Sequence, residues 1–518
     1  MRDIDSSKIP PAVLLLFTVL GSTLAFSSPP VVASVGCGAT ITKNTTLSAN
    51  IGPCPGYGLV IGHDGITLNC NGETMTGTST NTYAGIYLSG RTGVTVENCH
   101  VTAFRYGFYI LSSLNDTLTG NTANSNSWRG FWISSSYSNT LTGNTANSNT
   151  VGFYVSDSSN KNTLSANTAS NNNYDGFFLL SSSYDTLTGN TANNNQINGF
   201  YLRGSSSNTF TNNTANNNKY YGFCLSSSNK NKLTKNIANG NHDGFFILSS
   251  SYDILTGNTA NNNQINGFYL RGSSNNTLIG NTVTSNRIIG FALYNSSSNT
   301  LTGNVARSML PRALQIGFNL EASSNKNKLS GNTADDDNMG FGLFKSNSNT
   351  LTGNTANNNR YRGFWIKSSY SNTLTGNTAN SNTVGFYVSD SSNKNTLSAN
   401  TANNNTLGFY VSSSSYNILA HNAASKNGHY GFALTSSLSN TLNYNTADKN
   451  GLHGFFLDSA SKSNKLTGNA ANSNNHFGYY DSSSGAGTRR TANIYTSAEC
   501  SSNKLGGSSP SGLGAPQP

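Results

Sequence analysis

A unit of about 23 residues repeats along nearly the whole chain, and it leaves room for few folds. From Asn139 to Leu164 the sequence reads NTLTGNTANSNTVGFYVSDSSNKNTL, and the Asn-x-Leu opening returns at Asn162. A Gly-Phe pair marks each unit, from Gly107-Phe108 through Gly152-Phe153 and Gly290-Phe291 to Gly454-Phe455. Gly85-Ile86 and Gly478-Tyr479 extend the series, placing 393 residues over 17 intervals. A fixed period in this range signals stacked units that cannot bury a core alone.

Each unit holds three short apolar islands, such as Leu141, Ala146 and Phe153 with Val155, separated by Asn- and Ser-rich corners. Phe153 and Val155 alternate with Tyr154, which is the period of a strand. No window carries three turns of helical stripe. The expected fold is therefore all-β: a parallel β-helix of about 18 rungs of about 23 residues, stacked at roughly the 4.8 Å strand spacing. Leu118, Leu141 and Leu164 begin an inward leucine column, in which Phe210 is the exception. The second island is mostly Ala and the third brings Phe, so small and large side chains fill one cross-section. The Asn columns (Asn121, Asn144, Asn167, Asn190) are expected at corners, where Asn tolerates left-handed backbone and amides can bond from rung to rung.

The chain divides into four stretches. Residues 1–33 read as a secretory signal: Ala12 to Phe26 is an apolar run too short for a comfortable membrane span, and Val31-Val32-Ala33 offers small residues for cleavage. An uncleaved anchor is the alternative. No other segment could span a bilayer after signal cleavage. Residues 34–104 read as an amino-terminal cap and first rungs. Four cysteines crowd it, and Cys37–Cys54 and Cys70–Cys99 are the expected disulfides, since Cys70 and Cys99 fall on facing corners of successive rungs. A metal site is the alternative, without CxxC spacing to support it. Residues 105–482 are the repetitive body. Residues 483–518, rich in Gly, Ser and Pro, read as a disordered tail.

The amino-terminal block is CGATITKNTTLSANIGPCPGYGLVIG, then ITLNCNGETMTG, then GIYLSGRTGVTVENCHVTAF. With the N-x-L-x-x-N-x-A repeats and G-[IF]-x-L strands that follow, it resembles the right-handed parallel β-helix repeat proteins. Within these it resembles the NosD-like group, with ties to pectate-lyase-like and alginate-epimerase-like carbohydrate-active β-helices. The resemblance covers nearly all of residues 37 to 482. It implies a right-handed coil, and the NosD tie implies a copper-maturation accessory as one function. Where relatives often carry Asn-Gly-His-Thr, this chain has Asn71-Gly72-Glu73-Thr74.

Candidate sites fall into three groups. The residue after each Gly-Phe points away from the core, and it is aromatic over long runs: Tyr109, Trp132, Tyr154, Phe178, Tyr201, Phe246, Tyr269, Trp365, Tyr387 and Tyr410. Arg203 and Arg271 stand two residues beyond Tyr201 and Tyr269. Aromatic faces with polar neighbours suit sugar rings, and a contiguous exposed stripe marks interaction. Cross-strand stabilisation of the sheet is the competing reading. The second group is His429, His453 and His476 on three successive rungs, an arrangement that fits one metal and equally fits ordinary stacked polar corners. The third is Asp335, Asp336 and Asp337, next to a rung four residues longer than usual that contains Pro311. Counting from Gly-Phe sets Arg312 against Asp335 and Arg360 against Asp337. Acid-base or calcium chemistry competes there with plain charge pairing.

Catalysis is not the favoured reading. The chain has 20 acidic residues against 30 basic. Asp175 and Asp243 share a column three rungs apart, about 14 Å by rung spacing, too far to flank one glycosidic bond. Some rungs are also copies: Tyr137 to Ala169 is identical to Tyr370 to Ala402. Copied rungs suit a surface that works by repetition. A net charge of +10 favours an anionic polysaccharide or cell-envelope polymer over nucleic acid, because no dense basic cluster exists. The expectation is a secreted or cell-surface protein (periplasmic in a Gram-negative host) that needs no cofactor and binds carbohydrate or builds an extracellular layer. A polysaccharide lyase, hydrolase or epimerase is the alternative.

Overall fold

The structure, a computed structural model, describes residues 31–78, 82–307 and 315–514. It is a right-handed-type parallel β-solenoid of about 19 turns, with essentially no helix. Three sheets run its length. In the leucine sheet, three-residue strands such as Thr140–Thr142 turn Leu inward and both Thr outward. Leu141 lies beside Leu118 and Leu164 in exact register, so equal letters in successive units become vertical neighbours. The alanine sheet is narrower. It forms short strands such as Thr259–Asn261 and elsewhere single bridges such as Thr145 to Thr168. The phenylalanine sheet has the longest strands, such as Val151–Ser156. Its inward rings, from Phe108 to Tyr479, stack face to face at 4.5 to 5.0 Å.

The glycine of Gly-Phe is set by proximity rather than by backbone twist. A Cβ on Gly152 would lie 2.6 Å from the carbonyl oxygen of Gly176 and 2.7 Å from Cβ of Ala169. The same closeness explains why the second island is mostly Ala. Val283 is the largest side chain tolerated there in the repetitive body.

The Asn columns are where the structure departs from expectation. Asn121, Asn144, Asn167 and Asn190 are not left-handed, and their side chains point into the coil, fully buried. The left-handed residue is the one before: Gly143 at φ 63° precedes Asn144, and Ala166 at φ 53° precedes Asn167. That residue turns the chain so that the next amide faces inward. Asn167 Oδ1 accepts the backbone N–H of Asn144 at 2.9 Å and its side-chain N–H at 3.0 Å, while Asn167 Nδ2 donates to the Leu141 carbonyl at 2.9 Å. Two further Asn columns, through Asn139 and Asn149, and a Ser column through Ser136, do the same at the other corners. Corner backbone groups that strands cannot pair are thereby satisfied inside the coil.

Both expected disulfides are present, Cys37–Cys54 and Cys70–Cys99. Cys224 and Cys500 are buried. Of the expected signal, residues 1–33, the first 30 lie outside the described residues, and Val31–Ala33 form a strand beside Thr45–Leu47. No helix among the described residues is long and apolar enough to cross a membrane. The stretch read as a disordered tail is corrected. Residues 494–496, 499–501 and 506–509 pair with the turn below, and Tyr495 and Cys500 continue the Leu and Ala columns. Residues 515–518 lie outside the described residues.

Candidate functional site

The outer face of the phenylalanine sheet carries the predicted aromatic column, and the strand register sets its members side by side. Tyr109 pairs with Trp132, Trp132 with Tyr154, Tyr154 with Phe178 and Phe178 with Tyr201. Trp365, Tyr387 and Tyr410 form a second run. The rings lean on one another. Tyr109 and Trp132 stack at 4.1 Å, Phe178 and Tyr201 at 4.7 Å, Tyr387 and Tyr410 at 5.0 Å. Stacking takes up part of each face, and Tyr154 and Phe246 are left only 9% and 7% exposed. The surface is thus a paved ribbon, with grooves between rings, rather than a row of free plates. The most exposed tyrosines lie elsewhere, at left-handed corners: Tyr184, Tyr252 and Tyr416.

A cation is seated in each run. Arg129 stands with its guanidinium 4.1 Å from the Trp132 ring and 3.9 Å from that of Tyr154, and its Nε has no hydrogen-bond partner. Burial lowers its pKa, while the tyrosines and Asp157 around it act in the other direction. Arg362 repeats the arrangement at 3.9 Å from Trp365 and 5.0 Å from Tyr387. Trp132 Nε1 donates to Ser156 Oγ at 3.0 Å, and Trp365 Nε1 to Ser389 Oγ at 2.9 Å. Asp157 accepts from Ser134 and Ser156, whereas Asp390 meets Lys367 at 3.5 Å. The two copied stretches, each with the Arg-Gly-Phe-Trp strand just before it, therefore carry the same Arg–Trp–Tyr–Ser group twice. Burial, then the neighbouring phenols of Tyr87 and Tyr106, push the Tyr109 phenol up to about 12, so it stays neutral at physiological pH.

Sequence reasoning missed two contributors. Tyr57 stacks at 4.9 Å on Tyr87, the residue that precedes Tyr109 in the expected column, and extends the ribbon into the first rungs. The residue just before the Gly also faces outward: Tyr106, Tyr221 and Tyr430 pack on Trp132, Phe246 and Phe456 at 5.0, 4.6 and 4.6 Å. The signal was available as a Tyr or Arg one place ahead of the Gly-Phe mark.

The other two candidate groups do not converge. Asp335 faces outward and meets Arg307 at 3.7 Å; Arg307, rather than Arg312, is its register partner. Arg312 and Pro311 lie outside the described residues. Asp336 takes the left-handed corner, and Asp337 turns inward into an Asn column, where burial raises its carboxyl to about 8. Arg360 sends its guanidinium over Tyr361, and its backbone N–H donates to the Asp337 carbonyl. His453 and His476 rings meet edge to face at 5.4 Å, but Tyr430 lies against His429 and His453. His453 Nδ1 accepts the Phe477 N–H, and burial lowers its pKa to about 4. Among the described residues, no three His, Cys, Asp or Glu side chains stand close enough to hold a metal ion.

The family model described as "Periplasmic copper-binding protein (NosD)" matches residues 37–220, 198–333, 306–406 and 388–499. No curated protein matches the chain. Among solved structures, the chain is similar to the periplasmic alginate epimerase AlgG at 16% identity, over 62% of this chain and 76% of that one, with a TM-score of 0.37. It is similar to pectate lyase Pel9A at 17% identity, over 48% and 67%, with a TM-score of 0.30. The A-module of the Azotobacter vinelandii mannuronan C-5 epimerase AlgE6 is similar at 14% identity, over 70% and 88%, with a TM-score of 0.33.

Proposed function

The chain belongs to the NosD family, and from that premise we propose that it is an exported β-helix that binds carbohydrate polymer along the paved outer face of its phenylalanine sheet. The observation that carries this reading is the pair of aromatic runs, each with an arginine set against its Trp and Tyr rings. Apolar ring faces next to fixed polar groups offer a sugar both stacking area and hydrogen bonds. Repetition along the rod suits a polymer, which can touch many rungs at once and gain avidity without strong single contacts. The two disulfides support an oxidising compartment, which agrees with the word periplasmic in the family's description.

The copper in that description finds no matching donor set among the described residues. His453 and His476 are two imidazoles, one committed to a backbone N–H, and no third ligand joins them. No step is therefore assigned to a metal. The test of the carbohydrate reading is a glycan array probed with the parent and with Trp132→Ala and Trp365→Ala. The expected result is binding by the parent and weakened signal in both variants. A parent that binds no glycan contradicts the reading.

A further inference from the structure

The aromatic column breaks over three successive rungs, and the break is built rather than merely empty. Between Tyr269 and Trp365 the register runs Ala292, Asn319, Gly342. Four rung spacings separate the two flanking rings, about 19 Å along the rod. Two residues further along the same strands, the column runs Arg271, Tyr294, Glu321, Phe344, Lys367. The aromatic rings are thus moved sideways by two residues on the rungs of Ala292 and Gly342, from the floor of the face to its side. Most copied and neighbouring rungs carry Ser, Leu or Arg at that side position.

The displacement leaves two adjoining hollows of about 370 and 250 Å³ that share Tyr294 and Glu321. The first lies between Tyr294, Phe344 and the two lysines Lys345 and Lys367; the second reaches Tyr269, Ala292 and Asn319. Asn319 is 4% exposed, and its Oδ1 has no hydrogen-bond partner, while its Nδ2 donates to Glu321 Oε2 at 3.2 Å. A buried acceptor without a donor is costly unless something else supplies one. Around the hollows stand three cations, Arg271, Lys345 and Lys367, against the carboxylates of Glu321 and of Asp390, which pairs with Lys367.

We propose that this notch seats an acidic sugar segment of the polymer bound along the face. Ring faces lie against Tyr294 and Phe344, hydroxyls donate to the Glu321 carboxylate, and the sugar's carboxylate or sulfate meets Lys345 and Lys367. The inference rests on the carbohydrate reading of the face and adds where along it an anionic residue is chosen. The chemistry needed is an anion fixed to a polyhydroxylated ring; a lone inorganic anion would leave the aromatic walls of Tyr294 and Phe344 unused.

The test is calorimetric titration of the parent with three hexasaccharides: a uronate, a sulfated one and a neutral one. The parent is expected to bind the uronate or the sulfated chain at least tenfold more tightly than the neutral one. Lys345→Glu should remove that preference. Gly342→Trp, which refills the column, should lower affinity for the anionic chain; Ala292→Tyr serves if that variant folds poorly. If Trp132→Ala weakens binding but Lys345→Glu and the refilled variants do not, the notch proposal is overturned and the face reading stands. If the parent binds none of the three, both fall.

Discussion

The copied rungs and the interrupted rungs share the same Leu, Ala and Phe columns and differ most in what they show to solvent. In the copies, Leu141, Ala146 and Phe153 are fully buried; in the interrupted stretch Leu301, Ala306 and Phe318 are buried to the same degree. The Asn ladder continues through both, with Asn281, Asn304 and Asn332 bonded at the same 2.9 Å as Asn121 and Asn144. Outside, one region carries Trp132 and Tyr154 around Arg129, and the other carries Ala292, Asn319 and Gly342 beside displaced rings. Inner columns specify the coil, so the outer face is free to vary without a cost in folding. Function is expected on the side that varies.

The strongest challenge to that comparison lies in the core. Phe153→Ala and Phe318→Ala should each cost about 3–5 kcal/mol, because each removes a stacked ring from the same column. Urea unfolding followed by hydrogen exchange would measure both. Costs that differ by several kcal/mol would mean the two interiors are not equivalent. Ala146→Leu should cost about 1–3 kcal/mol by overpacking against Gly130, whose Cβ position lies 2.7 Å from Ala146 Cβ. A variant that melts no lower would place Ala146 elsewhere. Asn167→Ala and Asn304→Ala should each cost about 1–3 kcal/mol, since each leaves buried backbone groups unpaired.

A titration sharpens the comparison further. Asp185 and Asp337 replace Asn in the inner columns, one in each region, and burial raises both carboxyls from 3.8 to about 8. Their Oδ2 atoms lack a partner. The folded state therefore holds protons that the unfolded chain releases near pH 4. Stability falls as pH rises from about 4 to about 8 and levels off above. His453, lowered to about 4, acts the other way below its ordinary 6.5, and Asp116, Asp175 and Asp253, raised by burial to about 7, add to the fall, so the window that isolates Asp185 and Asp337 lies between pH 7 and 8. Asp185→Asn and Asp337→Asn should each flatten that slope and raise the melting temperature at pH 8. An unchanged slope would mean these carboxylates are solvated.

The smallest expected effect on stability is on the outer face, where Trp132→Ala should cost no more than about 1 kcal/mol while weakening glycan binding.

Much of this was legible because a solenoid converts sequence period into spatial register. Leu141 above Leu118, the Gly-Phe sheet and both disulfides follow from counting. The burial of Asn144 did not, since an amide reads as surface until its ladder partners are placed. The last turn was missed because residues 483–514 lack Gly-Phe and carry an insertion around Thr488–Arg490. Arg307 was passed over for Arg312 because the count from Gly-Phe crosses the four extra residues, whereas Ala306 beside Ala334 gives the register directly. The aromatic residues were found and their cross-strand contact was the competing reading; how much of each ring that contact covers required the structure, because facing rings at rung spacing hide one another. The notch was visible only as a gap; that Tyr294 and Phe344 flank it required the strand register.

The most direct test is equilibrium binding of an acidic polysaccharide to the parent and to Trp365→Ala, with melting temperatures recorded for both. Weakened binding at an unchanged melting temperature is the predicted result. Undiminished binding by the variant, or a loss that only tracks unfolding, would contradict the division between a structural interior and a functional face.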